Sequence, residues 1–522
     1  MRNAPKLVRK PVVKNTTSAL AHAEAAYREA EYDLCRGLID GAVPGDRAER
    51  GALFVLRARN AHAQNDAERT YAAAGAALAE LDDPQLRLLA TILRAAPAKA
   101  LGKTREARAS FEEAARDIFR FPSADVGIAR HLLAVEALEG QDFVRADALA
   151  RENIAAGTNE PQSLALLGAI ANKRERYAEA ANYFATALRK FQAAGEVDVR
   201  LEAEIVTSLA VVATETVDLR LVERVRKAYD KLAWTTSLAA LRFRAVGALR
   251  LAALLEGDVP RAFFASRDAL GFARGPAQLA LGELNAAVAS RLLGDAAAER
   301  LQLKRSWEAL RDERFEAGDD EARLALLSFI AEAAESMPAE ARKAMTLYRS
   351  STPKSAGAGL TVDRRFLALE AQAVARIADA VGDAETAIRF YEHAFQIWRT
   401  LGIAARAALA ALDLRRLTGD ESYATFVRSV LARAPKAWFA KQLRAPASPV
   451  DLLSPAERVV LGYLLGGDSA KTIAAKLDRS PFTISNHTRK IFQAFELNSR
   501  GKVIARCAEL GITAAKLERE SR

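Results

Sequence analysis

Cysteine is nearly absent from this chain: Cys35 and Cys507 are the two in 522 residues. That scarcity excludes a disulfide framework and a cysteine-rich zinc site, and it fits a reducing cytosol. No apolar run reaches the roughly 18 residues that a membrane helix requires. The first residues lack the apolar stretch of a secretory signal. Residues 1–16 instead carry Arg2, Lys6, Arg9, Lys10 and Lys14, and read as a basic disordered tail. Glycine (28) and proline (16) are modest, and β-branched runs are scarce. Helix propensity is therefore high almost throughout, and the predicted fold class is all-α.

Catalytic signatures are missing as well. The five histidines (His22, His62, His131, His393 and His487) stand singly, in no metal-ligand spacing. No Gly-x-Ser-x-Gly elbow occurs. Gly102-Lys103-Thr104 imitates the end of a phosphate loop, but the required earlier glycine is Pro97 and no strand precedes it. Carboxylates are plentiful, as solvated helix faces usually are. The sequence offers no residues for an enzyme and implies no cofactor and no metal. The formal charge of +10 permits an acidic polymer as partner.

What is present is repetition. Gly257-Asp258, Gly294-Asp295, Gly382-Asp383 and Gly419-Asp420 each separate two Ala/Leu-rich helices. Earlier turns are read at Gly102-Lys103 and Glu139-Gly140. In the second helix of a pair, alanine precedes an aromatic by four residues and another alanine follows by three. Ala107, Phe111 and Ala114 are one instance; Ala180, Phe184 and Ala187, and Ala387, Tyr391 and Ala394, are two more. Small residues let helices approach and the aromatic fills the gap, so these stripes are read as core. The pattern over residues 17–433 resembles tetratricopeptide-type repeats, about nine to eleven helix pairs forming an α-solenoid. Residues 350–363 read as a loop or hinge within it.

Residues 434–450 read as a proline-containing linker, with Trp438-Phe439 free to dock on either side. A compact unit is predicted over 451–513, followed by a charged tail at 514–522. From Val450 onward, twelve basic residues face eight acidic ones. Ser454 with Pro455 and Glu457 forms a capping box, and that helix stops at Gly466-Gly467. Ser469 caps a second, short helix. Asp478-Arg479-Ser480 makes a turn, and Ser480 with Pro481 opens a third helix. Ser499 starts a fourth. A short helix, a tight turn and a longer helix make a helix-turn-helix. On the third helix Ile484, His487, Ile491 and Phe495 form the inward stripe. By exclusion Thr483, Ser485, Asn486, Arg489, Lys490 and Gln493 face outward, a polar and basic surface suited to reading bases and phosphates.

Leu453-Ser454-Pro455, Glu457, Leu461, Gly467, Lys471, Ile473-Ala474, Leu477, Ser480, Thr483-Ile484, His487, Ile491 and Ser499-Arg500 resemble, in register, the LuxR-type (FixJ/NarL-like) DNA-binding domain of bacterial transcription regulators. The resemblance implies a recognition helix in the major groove, with Ser485, Asn486 and Arg489 facing bases. It implies phosphate contacts at Lys471, Thr483 and Arg500; Ser480 and Lys490 join them on the same polar surface. It implies that the fourth helix pairs two domains, which makes Val503, Ile504 and Cys507 candidates for a homodimer contact. His487 is expected to pack, half-buried. Three places depart from the family's pattern: Ala494-Phe495-Glu496 stands where Lys-Leu-Gly is usual, Thr472 replaces a glutamate, and Lys502 replaces a glutamate or threonine.

The sequence therefore predicts a cytoplasmic transcription regulator with double-stranded DNA as partner and no membrane association. An unknown protein or small-molecule effector would act at the repeats. The alternative is an interaction scaffold whose tail binds RNA polymerase or another regulator.

Overall fold

The computed structural model describes residues 16–122, 126–195, 197–315, 319–351, 363–444, 449–495, 497–514 and 517. Residues 1–15 of the expected basic tail, all but three residues of the 350–363 loop, residues 445–448, Glu496 and most of 514–522 lie outside the described residues.

The architecture is all-α; among the described residues there is no strand. From Thr16–Arg28 to Glu421–Leu431, twenty-two α-helices pack as eleven successive pairs of tetratricopeptide-like form. Most of the alanine-and-aromatic stripe is core. Ala180, Phe184 and Ala187 are buried, as are Ala387, Tyr391 and Ala394, whereas Phe111 is half-buried. A Cβ at Gly168 would meet the Phe184 ring at 2.8 Å, so the small residue is what lets that pair close.

Several of the turns share one device. A residue with positive φ ends a helix, and the next residue, an aspartate, caps the following helix. The aspartate N–H also bonds the carbonyl five residues back, as in Asp258 to Ala253, Asp295 to Ser290 and Asp383 to Ala378. Glycine is only one way to do it. Asn65-Asp66, Gln141-Asp142 and Val217-Asp218 make the same turn with side chains at the left-handed position. The turn read from sequence at Glu139-Gly140 accordingly sits at Gln141-Asp142. Twelve array helices begin on a capping aspartate. Each such cap contributes about 1 kcal/mol.

The array coils until successive turns touch. Ser237 donates to the Ala30 carbonyl at 2.8 Å, across 207 residues. Arg364 N–H donates to Glu175 at 2.8 Å, across 189 residues. Arg433 reaches the Thr216 carbonyl at 2.9 Å, across 217 residues.

The chain after the last pair is not a free linker where it is described. Phe439 is fully buried in the array's core, and the Trp438 N–H donates to the Leu254 carbonyl at 3.0 Å. Ala440–Arg444 forms a further helical turn, and Arg415 donates to the Leu443 carbonyl at 3.2 Å. The reason is apolar area: Trp438 and Phe439 bury more against the array than a solvated linker would allow.

Beyond it lies a separate core built from residues between Val450 and Leu517. Four helices enclose it: α1 (Pro455–Leu465), α2 (Ala470–Lys476), α3 (Pro481–Ala494) and α4 (Arg500–Glu509). Leu517 is buried there, so this core reaches past residue 513 into the stretch read as tail.

Candidate nucleic-acid interface

Each of the four terminal helices starts on a serine. Ser454, Ser469, Ser480 and Ser499 accept from the backbone N–H groups of Glu457, Thr472, Thr483 and Lys502. The contrast with the array is chemical. Serine caps about as well as aspartate but adds no charge. An aspartate at such a site would repel a phosphate backbone, whereas a serine leaves the helix N-terminus partly positive.

The capping box of α1 is complete. Ser454 N–H donates to Glu457 Oε2 at 2.8 Å, and Glu457 N–H donates to Ser454 Oγ at 3.3 Å. The Glu457 carboxylate is buried and lies 3.4 Å from Lys490 Nζ and 3.6 Å from His487 Nδ1. Burial pushes the carboxyl pKa up. The Ser454 N–H and hydroxyl together with Lys490 outweigh that and hold it down at about 2.

Between α2 and α3 the chain turns through Asp478, which has φ +50°, and Arg479 N–H bonds the Ala474 carbonyl at 3.0 Å. The turn sets α3 across α1 and α2. Ile484, Ile491 and Phe495 are buried in the core, and His487 is half-buried beside Glu457. This leaves Ser485 and Arg489 exposed and Asn486 half-buried, close together at positions i, i+1 and i+4. Lys490 and Gln493 are exposed beside them. Ser480 and Thr483 sit together at the helix start, their hydroxyls 2.8 Å apart. Thr488 donates to the Ile484 carbonyl at 2.8 Å and so turns back onto its own helix.

Lys471 is exposed at the start of α2. Arg500, like Lys490 with Glu457, already has a partner within the domain. Its Nη2 donates to the Leu464 carbonyl at 3.0 Å and so ties α4 to the end of α1. Val503 and Cys507 are buried in the domain's own core, where Cys507's thiol is pushed up to about 11 by burial. They cannot present a surface to a second copy while the core is intact. Of the three residues assigned to a dimer contact, Ile504 alone stays at the surface, half-buried.

The periodicity argument missed Phe482. It is 75 % exposed at the second position of α3, beside the cap that opens this helix. Its signal was its place off the inward stripe, where an apolar residue has no internal use.

Residues 451–507 match the family GerE, described as bacterial regulatory proteins, luxR family. No curated protein matches the chain. Among solved structures, a Rap protein complexed with Competence and Sporulation Factor aligns with 76 % of this chain and 99 % of its own, at 14 % identity and TM-score 0.47. The apo quorum sensor NprR from B. thuringiensis aligns with 73 % and 97 %, at 12 % identity and TM-score 0.41. The human IFIT1 dimer with PPP-AAAA aligns with 83 % and 95 %, at 14 % identity and TM-score 0.38. No helix among the described residues is long and apolar enough to cross a membrane. The match to bacterial regulatory proteins of the luxR family thus reaches all four terminal helices, which in this chain follow an array of tetratricopeptide-like helix pairs.

Proposed function

We propose that this chain is a bacterial transcription regulator that binds double-stranded DNA through α3, under the control of the helical array. The observation that carries the reading is the outward surface of α3, with Ser485, Asn486 and Arg489 together on a helix whose opposite side is core. In the major groove an asparagine can pair with adenine and an arginine with guanine. Lys471, Ser480, Thr483 and Lys490 would take phosphates, which set register and affinity rather than sequence. Arg500 would serve first as a brace and only secondarily as a phosphate ligand. A homodimer on a two-fold site would pair through the Ile504 side of α4. The array would hold a protein or small-molecule effector. Such a regulator works in the cytoplasm, where bacterial DNA lies.

A mobility-shift titration of the full chain against genomic fragments tests the reading. Arg489→Ala should cost roughly 1–3 kcal/mol and relax specificity at one base position. Binding that ignores both this change and salt would sink it. Exposed Phe482 favours a second reading, in which the domain docks on RNA polymerase or another regulator. No affinity for any genomic fragment would select that reading.

A further inference from the structure

The array holds a partly open cavity of about 690 Å3. That volume suits a drug-sized organic molecule. Leu251, Leu284, Val288 and Leu409 give it an apolar wall. Trp438 and Gln442, from the segment leading to the terminal domain, close another side.

Five arginines line the cavity: Arg250, Arg291, Arg376, Arg406 and Arg416. Four have carboxylate partners. Arg291 pairs with Glu332, and Arg416 with Asp379. Arg376 lies 3.0 Å from Asp413, and Arg406 lies 3.4 Å from Glu215. Arg250 has none. Among the described residues it makes no ion pair or hydrogen bond, and its Nε is buried without a partner. Burial, with Arg406 close by, pushes its pKa down to about 10 against the partial support of Glu332 and Glu215. Arg250 is half-buried, and a cation partly withdrawn from water without a partner weakens the fold. An arginine that served the fold would hold a carbonyl or a carboxylate, as its four neighbours do.

We propose that this cavity binds a small organic acid, with its carboxylate on the Arg250 guanidinium and its apolar body against the leucine wall and Trp438. The four neighbouring arginines already have carboxylate partners, and the remaining carboxylate of the lining, Glu335, is exposed and forms no ion pair among the described residues, so Arg250 is the arginine left for an acid. Occupancy would bear on Trp438 and through it on how the connector seats. The consequence for DNA rests on the function proposed above; the site itself does not.

The test uses the full chain, with octanoate as probe and octan-1-ol as its uncharged counterpart, and involves no DNA. Arg250→Met should raise the Tm of the ligand-free chain, because it removes an unmatched, half-buried charge. Octanoate should bind the wild type about tenfold or more tightly than octan-1-ol, read from the shift in Tm and from Trp438 fluorescence, with Trp438→Phe as blank. That preference should vanish in Arg250→Met. A lower Tm for ligand-free Arg250→Met would make the arginine structural and overturn the proposal. Equal binding of octanoate and octan-1-ol, or no binding of octanoate, would overturn it too. Failure here leaves DNA binding by α3 untouched, because that is measured separately.

Discussion

The carboxylate that closes the capping box of α1, Glu457, lies 3.4 Å from the Lys490 ammonium of α3. One buried acid thus caps α1 and braces α3. Its folded pKa is about 2, below the ordinary 4.5. A carboxyl with a depressed pKa contributes stability that is fully present above the unfolded value. That contribution is lost as pH falls through the folded one. Glu457→Gln should therefore cost roughly 1–2 kcal/mol at pH 7, after allowance for solvent screening, and much less near pH 2. Melting curves of the terminal domain in the full chain, from pH 7 to pH 2, check this. A variant as pH-sensitive as the wild type below pH 4.5 would refute it.

Lys471 and Arg500 carry the same charge but should behave differently. Lys471 is exposed and forms no bond among the described residues. Lys471→Ala should weaken DNA binding evenly across sequences, lower the salt slope by about one, and leave the melt unchanged. Arg500 holds the Leu464 carbonyl, so Arg500→Ala should also destabilise the domain, by roughly 1–2 kcal/mol. Equal melts for the two variants would show that the Arg500 brace contributes nothing.

Phe482 separates the two readings of the domain. On DNA its ring would lie against sugars or a thymine methyl at the end of α3. Phe482→Ala should then lower affinity for a cognate fragment roughly three- to tenfold without altering the melt, since the ring is exposed. DNA affinity unchanged, with loss of RNA polymerase capture, would assign the ring to protein contact.

Local signals made much of this molecule legible. Ser454-Pro455 with Glu457, and Ser480-Pro481, act over three residues, and both caps stand in the structure. Ile484, Ile491 and Phe495 followed a helical period, so the inward side of α3 could be read directly. The Gly-Asp turns were visible because glycine signals positive φ, while Gln141-Asp142 and Val217-Asp218 were not. Partners far apart in sequence left no spacing to read. Arg500 and Leu464 are 36 residues apart, and nothing near Arg250 hints that its neighbours would find carboxylates and it would not. Val503 and Cys507 were candidates for a dimer contact on resemblance alone, although both lie in the core of the terminal domain.

Gly257 offers a way to loosen the connector from the array. Its φ of +79° disfavours any side chain, and a Cβ there would collide with the Lys436 carbonyl oxygen. The contact is backbone, so no rotamer change relieves it. Gly257→Ala should therefore either distort the turn before Asp258 or lift residues 436–438 away. The second course breaks the bond from Trp438 N–H to the Leu254 carbonyl and uncovers Phe439. A loss of roughly 1–3 kcal/mol is expected. Gly294 supplies the control: its φ is +83°, but a Cβ there meets nothing within 4 Å. Gly294→Ala should carry the strain of the turn without touching the connector. Proteolysis within residues 434–444 should thus accelerate in Gly257→Ala and not in Gly294→Ala. Equal cleavage in the two variants would mean that the connector is not held by this contact.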